Sequence, residues 1–175
     1  MARVLVAGAS GVLGRPLVPL LLQRGHVVAG LTRSQPDVVR ALGAEPIVCD
    51  VYDAQKLKEL VGAFDPELVV HLLTDLPDEL AELPDYRERN ARIRREGTRN
   101  LLAAAPTAHF IAESVNFDAG PAVAELEELV PHHIKLDLLC GPGTYDPDCA
   151  GAGTRIHVDD AALLFAAAVD GSASS

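Results

Sequence analysis

Short apolar runs alternate along the chain with amphipathic stretches that have the period of a helix. The first run, ARVLVA at 2–7, is rich in β-branched residues, which is typical of a buried parallel strand. Five more strands are predicted at 26–31, 45–49, 67–73, 108–113 and 133–139, with helices at 12–24, 36–43, 53–62, 85–105, 121–130 and 159–169. Because the crossovers are of helical length, the pattern predicts an α/β fold, with a doubly wound parallel sheet covered by helices on both faces.

The limits of the domain and of one helix are also predicted. Residues 1–170 form a single domain with no clear internal linker, and 171–175 form a polar tail that is expected to fray. Asp53 is the expected N-cap of the helix at 53–62, and Gly62 its expected stop.

Composition and charge restrict the possible partners. The chain has 175 residues, of which 49% are apolar, enough for an ordinary core. Its formal net charge of −10 argues against nucleic acid and anionic membrane surfaces, because both would repel it. Glycines interrupt the apolar run at the N-terminus and no stretch approaches the ~20 apolar residues of a spanning helix, so we expect a cytoplasmic protein. The cysteines, Cys49, Cys140 and Cys149, form no C-x-x-C motif, so buried free thiols in a reducing compartment are expected.

A glycine-rich turn follows the first strand directly. Gly8 permits a tight turn, Gly11 lets the backbone approach a pyrophosphate, and Gly14 allows close packing of helix on sheet. In this context the turn predicts a Rossmann-like sheet with strand order 3-2-1-4-5-6 and a dinucleotide bound at its carboxyl edge. The residues predicted to hold the phosphates are Gly8, Ser10, Gly11, Val12, Leu13 and Gly14.

The ends of the second and third strands indicate which dinucleotide is bound. The second strand ends in Thr32-Arg33 rather than in the acid that would bind a ribose 2′-hydroxyl, and Arg33 is placed to meet a 2′-phosphate. NADP(H) is therefore favoured over NAD(H), unless Arg33 is only a solvated surface residue. Asp50 after the third strand is placed either to reach the adenine amino group or to stabilise a turn.

Together these motifs resemble the short-chain dehydrogenase/reductase superfamily, in its extended branch of epimerase/dehydratase-like proteins. The segments that carry the resemblance are GASGVLG, CDVYD, VVHLLTD, NARIRREGTRNLLAAA, HFIAES, LLCGPGTYDPD and RIHVDDAALLFAAAV. The resemblance implies that Val51 lies beside the adenine and Leu72 beside the nicotinamide ribose. It also implies that Ser114, which ends the fifth strand, is the Ser/Thr that hydrogen-bonds the substrate oxygen.

The departures from the family concern its chemistry. Family members place a Tyr-x-x-x-Lys pair after the fifth strand, but the segment VNFDAGPAVAELEELVPHH contains neither residue, and the C-terminal substrate lobe is reduced. A literal Tyr-x-x-x-Lys, Tyr52 to Lys56, lies instead after the third strand, on the adenine side, and is interpreted as the start of a surface helix.

Other side chains are candidates for the missing proton donor. Besides Ser114, the catalytic candidates are Glu113, at the same strand end, and Tyr145, on the loop after the sixth strand. Each alternative is structural, and for Ser114 it is a hydroxyl that simply ends a strand. His71 is expected to be a satisfied core histidine, and Asp159 the N-cap of the last helix. No metal site is expected.

Two classes of function fit the sequence. In the first, the protein is a compact NAD(P)-binding enzyme acting on a small molecule, by reduction with a substitute acid or by redox-neutral isomerisation, dehydration or cyclisation. In the second, it is a non-catalytic NADP-binding regulator that has lost the proton relay. Because a reduced lobe leaves the cleft open, a homodimer is a possible way to cover it.

Overall fold

A six-stranded parallel sheet forms the centre of the molecule. The computed structural model describes residues 1–77, 79–117 and 119–173. The strands are Arg3–Ala7 (β1), Val27–Thr32 (β2), Glu45–Val48 (β3), Leu68–His71 (β4), His109–Val115 (β5) and His133–Leu136 (β6). Their order is β3-β2-β1-β4-β5-β6, so the predicted doubly wound, Rossmann-like sheet is confirmed.

Helices connect these strands and cover both faces of the sheet. They are Gly14–Gln23 (α1), Pro36–Ala41 (α2), Ala54–Phe64 (α3), Leu83–Arg92 (α4), Thr98–Ala104 (α5), Pro121–Leu129 (α6) and Val158–Ala173 (α7). A 3₁₀ turn at Leu80–Glu82 precedes α4, and a π-helical turn at Ile93–Gly97 separates α4 from α5. The helix predicted as continuous over 85–105 is therefore divided at this π turn.

Two apolar layers hold the helices on the sheet. One contains Leu17 of α1 and Phe165 of α7, and the other contains Leu57 of α3 and Leu101 of α5; all four are buried. Successive residues of a strand point into opposite layers, because the strand is pleated. The sheet is thus apolar on both faces, and its polar side chains concentrate at strand ends.

The sixth strand is shorter than predicted. β6 ends at Leu136, and Leu138–Cys140 (β7) leaves the main sheet to pair in parallel with Arg155–His157 (β8). Asp137 marks the break, where its carboxylate accepts a hydrogen bond from the Asn116 side chain at 3.2 Å. β7, β8 and α7 make up the described chain beyond β6.

The last helix is longer than predicted and is capped differently. α7 runs to Ala173, so 171–173 are helical rather than part of a frayed tail. Its end is anchored because Asp170 bonds His26 Nε2 at 3.0 Å. At its start, Asp159 lies inside the helix and is not the N-cap. The His157 ring instead accepts from the Asp159 backbone N–H at 3.2 Å.

One end of α3 confirms the prediction and the other does not. Asp53 caps the helix by accepting from the Lys56 backbone N–H at 3.2 Å. The helix passes through Gly62 and ends at Phe64, because Asp65 supplies the left-handed residue at its C-terminus with φ 51°.

Two of the cysteines are paired. Cys140 and Cys149 form a disulfide with Cα atoms 5.0 Å apart, whereas Cys49 is free and buried. The expectation of three free thiols is therefore wrong for this pair. The loop between them turns back on itself, since the Gly141 and Cys149 N–H groups both donate to the Asp146 carbonyl, at 3.0 and 3.2 Å.

Candidate functional site

The turn between β1 and α1 has the backbone that a phosphate cradle needs. Gly8 has φ 95°, and the Gly11 N–H donates to the Gly8 carbonyl at 3.0 Å. Gly14 lies so close beneath this turn that a Cβ there would come within 2.6 Å of Ala9 Cα. The packing therefore requires glycine at 14, and it brings the N-terminus of α1 directly behind the turn. This is the arrangement in which helix N–H groups bind a pyrophosphate.

The side chains of the turn join it to β2. The Ser10 and Thr32 hydroxyl oxygens lie 3.2 Å apart, and the Gln35 backbone N–H donates to Thr32 Oγ1 at 3.2 Å. Leu13 is buried under the turn, whereas Gly11 and Val12 are exposed. Arg33 follows Thr32 and is exposed as well. The structure thus places an exposed glycine turn and a cation at one edge of the sheet.

The predicted adenine and ribose elements lie along the same edge. Asp50 Oδ1 accepts from the Tyr52 backbone N–H at 3.0 Å, so Asp50 does stabilise a turn. Val51 is buried, and its carbonyl accepts from Asn100 Nδ2 at 2.9 Å. Leu72 is buried and packs closely against Gly8. A Cβ on Gly8 would lie only 3.1 Å from the Leu72 carbonyl oxygen.

Ser114 faces α6 rather than open solvent. It is fully buried, and its hydroxyl donates to the Glu127 carboxylate. Lys135 lies opposite Ser114 on β6, and its Nζ is 3.0 Å from the other Glu127 oxygen. The Ser114 hydroxyl and then Lys135 lower the pKa of Glu127. The hydroxyl is thus committed to a structural bond in this conformation, and its catalytic role stays a prediction.

Glu113 forms a buried pair with an arginine of the π turn. Glu113 Oε2 lies 3.6 Å from Arg94 Nη2, and Arg94 Nη1 donates to the Glu113 carbonyl at 3.4 Å. Burial raises the pKa of the Glu113 carboxyl, while Arg94 opposes that rise. Among the described residues, Arg94 Nε is a buried donor without a hydrogen-bond partner. At the carboxyl end of β5, the charge of the Glu113 carboxylate is thus balanced by the Arg94 guanidinium.

Tyr145 is tied to the loop after β4. Its hydroxyl donates to the Pro77 carbonyl, although the residue is 41% exposed. The three catalytic candidates are therefore not brought to one point. Ser114 and Glu113 are adjacent strand residues bound to different helices, and Tyr145 belongs to a separate loop.

The literal Tyr-x-x-x-Lys lies away from these residues. Tyr52 follows β3 and stacks under the Arg92 guanidinium, whose carbon is 3.9 Å from the ring centroid. Burial raises the pKa of Tyr52, the reverse of what a proton-transfer tyrosine needs. Lys56 is exposed in the first turn of α3. The structure confirms that the match has the spacing but not the position.

His71 is a satisfied core histidine, as predicted. Its Nδ1 accepts from the Leu73 N–H at 3.3 Å, which leaves Nε2–H to donate to Thr98 Oγ1 at 2.8 Å. Burial, with a smaller effect of Arg94, lowers its pKa to about 3, so the ring stays neutral. In the part of the chain that the structure describes, no group of three or more His, Cys, Asp or Glu residues is arranged to hold a metal ion. Over the same residues, no helix is both long and apolar enough to cross a membrane.

Comparison with known proteins identifies the family. The model of the NAD dependent epimerase/dehydratase family matches residues 4–118, which include the turn and the first five strands. The chain belongs to this family. As an epimerase/dehydratase-family protein, it combines the expected glycine turn and sheet with a segment after β5, 116–132, that contains no tyrosine and no lysine.

Relatives with names are reductases and dehydrogenases. The chain is 35% identical over 226 aligned residues to the 3-diazoavenalumate denitrifying reductase of a Streptomyces species, covering 98% of this chain and 73% of that protein. It is 33% identical to a 3-beta-hydroxysteroid dehydrogenase of Mycolicibacterium neoaurum, over 62% of this chain and 30% of that protein. The first alignment is longer than the 175 residues of this chain, so that relative contains segments missing here.

A solved structure agrees with the fold. The Bordetella bronchiseptica enzyme WbmH, determined in complex with NAD⁺, superposes with a TM-score of 0.74 at 18% identity, covering 98% of this chain and 72% of that one. At this identity the likeness establishes the fold alone.

Sequence reasoning missed three features of this edge. Arg94 is one, because a charged residue in a helical pattern normally faces solvent. The Glu127–Lys135 pair is another, although placing Ser114 beside β6 would have indicated that Lys135 is its neighbour. The third is the disulfide, for which the only signal was two cysteines flanking a glycine- and proline-rich loop.

The fit at Gly14 gives a matched pair of substitutions. Gly14→Ala should destabilise the fold by about 1–3 kcal/mol, because overpacking against fixed backbone displaces the turn. Gly62→Ala, in the open interior of α3 with no atom within 4 Å of a new Cβ, should instead stabilise it by about 0.5–1 kcal/mol. Chemical denaturation of both variants measures this. Equal effects would contradict the close packing described for the turn.

Proposed function

We propose that this family member is an NAD(P)H-dependent reductase acting on a small organic electrophile. The observation that carries the proposal is the turn itself, where a Cβ at position 14 would collide with backbone while Gly11 and Val12 remain exposed. This cradle fits a dinucleotide pyrophosphate, and the named relatives are reductases and dehydrogenases. When bound, the cofactor would supply a hydride.

Different residues of the carboxyl edge would contact the phosphates, the adenine and the ribose of the dinucleotide. The pyrophosphate would lie against the exposed turn, on N–H groups other than those of Gly11 and Arg15, which donate to carbonyls of the turn. Arg33 would bind a 2′-phosphate, which supports NADPH over NADH. Val51 would line the adenine and Leu72 the ribose. Asp50 keeps one oxygen outside its bond to Tyr52 and could accept from the adenine amino group.

The state of the catalytic candidates restricts the substrate. Ser114 donates to Glu127, Glu113 is paired with Arg94, and Tyr145 donates to Pro77, so each group is engaged within the protein. A ketone needs a proton at its oxygen as the hydride arrives. An arenediazonium ion does not, since it is already cationic and on accepting a hydride it loses dinitrogen to leave the arene. We therefore propose a diazo or diazonium compound as the substrate class, in line with the relative named for denitrifying reduction of a diazo compound.

A non-catalytic NADPH-binding regulator is the second candidate. The same engagement of Ser114, Glu113 and Tyr145 favours it, because a binder needs no free proton donor. Turnover separates the two functions, since both retain the nucleotide cradle.

Cofactor choice is tested at Arg33. Titration with NADPH and NADH, followed by nicotinamide fluorescence, should show tighter binding of NADPH. Arg33→Ala should weaken NADPH binding roughly tenfold, the loss of one charge-assisted hydrogen bond, and leave NADH binding unchanged. Arg40→Ala is the control, because Arg40 is an exposed cation paired with Asp37. An unchanged NADPH/NADH ratio in Arg33→Ala would remove Arg33 as the selector, and binding of neither nucleotide would overturn the proposed function.

The substrate class is tested with 4-carboxybenzenediazonium and NADPH. The protein should produce benzoate, dinitrogen and NADP⁺ in equal amounts, and should turn over the ketone 4-nitroacetophenone far more slowly. A mixture of the probe and NADPH without protein controls for the uncatalysed reaction. Faster ketone reduction would contradict the substrate class, and NADPH binding without turnover of either probe would support the regulator.

A further inference from the structure

The loop between β7 and β8 lies across the carboxyl edge of the sheet. At one point it meets the turn after β1, since a Cβ on Gly143 would lie 3.7 Å from Val12 Cγ2. At another it meets the segment after β4, where the Tyr145 hydroxyl donates to the Pro77 carbonyl. The loop therefore contacts elements on two neighbouring strands of the proposed dinucleotide site.

The shape of this loop is held from within. The Asp146 carboxylate accepts from the Ala150 and Gly151 N–H groups, each at 3.0 Å, and pairs with Arg155. The disulfide joins Cys140 at the end of β7 to Cys149, in the segment that leads to β8 at Arg155. Cys140 is buried, whereas Cys149 is exposed, so a soluble thiol can reach the bond from one side.

We propose that Cys140 and Cys149 form a dithiol–disulfide modification site that controls binding of the dinucleotide. This inference rests on the proposed function, because it concerns the same nucleotide site. The disulfide has one exposed cysteine and closes a loop that contacts both the phosphate turn and the segment after β4, so opening it releases a loop at the proposed nucleotide site. Cys49 is not expected to exchange with this disulfide, because it is buried and burial raises the pKa of its thiol.

The modification is a thiol–disulfide exchange with a small or protein dithiol. A thiolate of the reductant attacks Cys149 Sγ, the sulfur–sulfur bond breaks, and Cys140 leaves as a thiolate that takes up a proton. The second thiol of the reductant then displaces Cys149 and closes its own disulfide. Two electrons and two protons pass from the reductant to the two cysteines.

The oxidised form is the tighter binder. With the disulfide closed, the contacts to Val12 and Pro77 are held in place before the nucleotide arrives, so less loop ordering opposes binding. With it open, the loop must be ordered on each binding event. Oxidised protein should therefore bind NADPH roughly tenfold more tightly than reduced protein.

The experiment compares NADPH titrations of air-oxidised protein and of protein reduced with dithiothreitol. Alkylation and intact mass should count one free thiol in the first and three in the second. The Cys140→Ser/Cys149→Ser variant should bind as the reduced protein does, with or without dithiothreitol, which shows that the effect does not pass through Cys49. Amide hydrogen exchange should become faster in 141–148 and in the turn at 8–14 on reduction, while the β1 and β4 amides stay protected.

Three outcomes decide the matter. Tighter NADPH binding by the oxidised protein, lost in the double variant, supports the proposal. Equal affinities of the two forms, or three free thiols after air oxidation, would overturn it and leave the proposed function standing. Failure of both forms to bind NADPH would overturn the proposed function as well.

Discussion

The fit of Gly14 beneath the Gly8–Ala9 backbone is the constraint on which the rest of the site depends. Because α1 starts directly behind the turn, a Cβ at position 14 would collide with the Gly8–Ala9 backbone, and only glycine fits there. The buried Leu17 then seats α1 on the sheet, and α7 packs beside it. A local backbone contact thus links the first strand, the first helix and the last helix.

Several polar side chains at the carboxyl edge of the sheet are bonded to one another, although Arg94 Nε keeps no partner among the described residues. Glu127 accepts a hydrogen bond from Ser114 and forms an ion pair with Lys135. Glu113 forms an ion pair with Arg94. The neutral His71 ring lies between a backbone N–H and Thr98. Such pairing offsets the cost of desolvating the buried groups. Removing one partner would leave the other buried without a counter-charge or a hydrogen bond. The pairing also leaves little free acid for proton transfer, which is why the proposed chemistry is a hydride transfer that needs none.

The fold was predictable because its signals are local and repeated. Apolar runs, a glycine turn and crossovers of helical length define the sheet order, and Asp53 capped its helix as expected. Element ends were less predictable, because Asp65 could replace Gly62 as the left-handed residue and Asp170 could extend α7 through a bond to His26. These outcomes depend on tertiary contacts that a pattern does not contain.

The candidate site was predictable at the turn and only partly elsewhere. Glycines at positions 8, 11 and 14, placed between a strand and a helix, predict the tight turn and the close packing that the structure shows. The partners of Ser114 and Tyr145, and the pairing of Cys140 with Cys149, depend on how segments far from the turn fold back. The hydrogen-bond or disulfide partner of a side chain determines whether it is available for chemistry, and the sequence shows only the residue type.

We infer that a dinucleotide binds along the edge formed by β1, β2 and β4. The most direct test is an amide NMR titration of the protein with NADPH. The amides of 8–14, Thr32, Arg33 and Leu72 should shift together, while those of His109, at the amino end of β5, and of the neighbouring Ala168 should not. Shifts confined to His109 and Ala168, or no shifts at saturating NADPH, would contradict it.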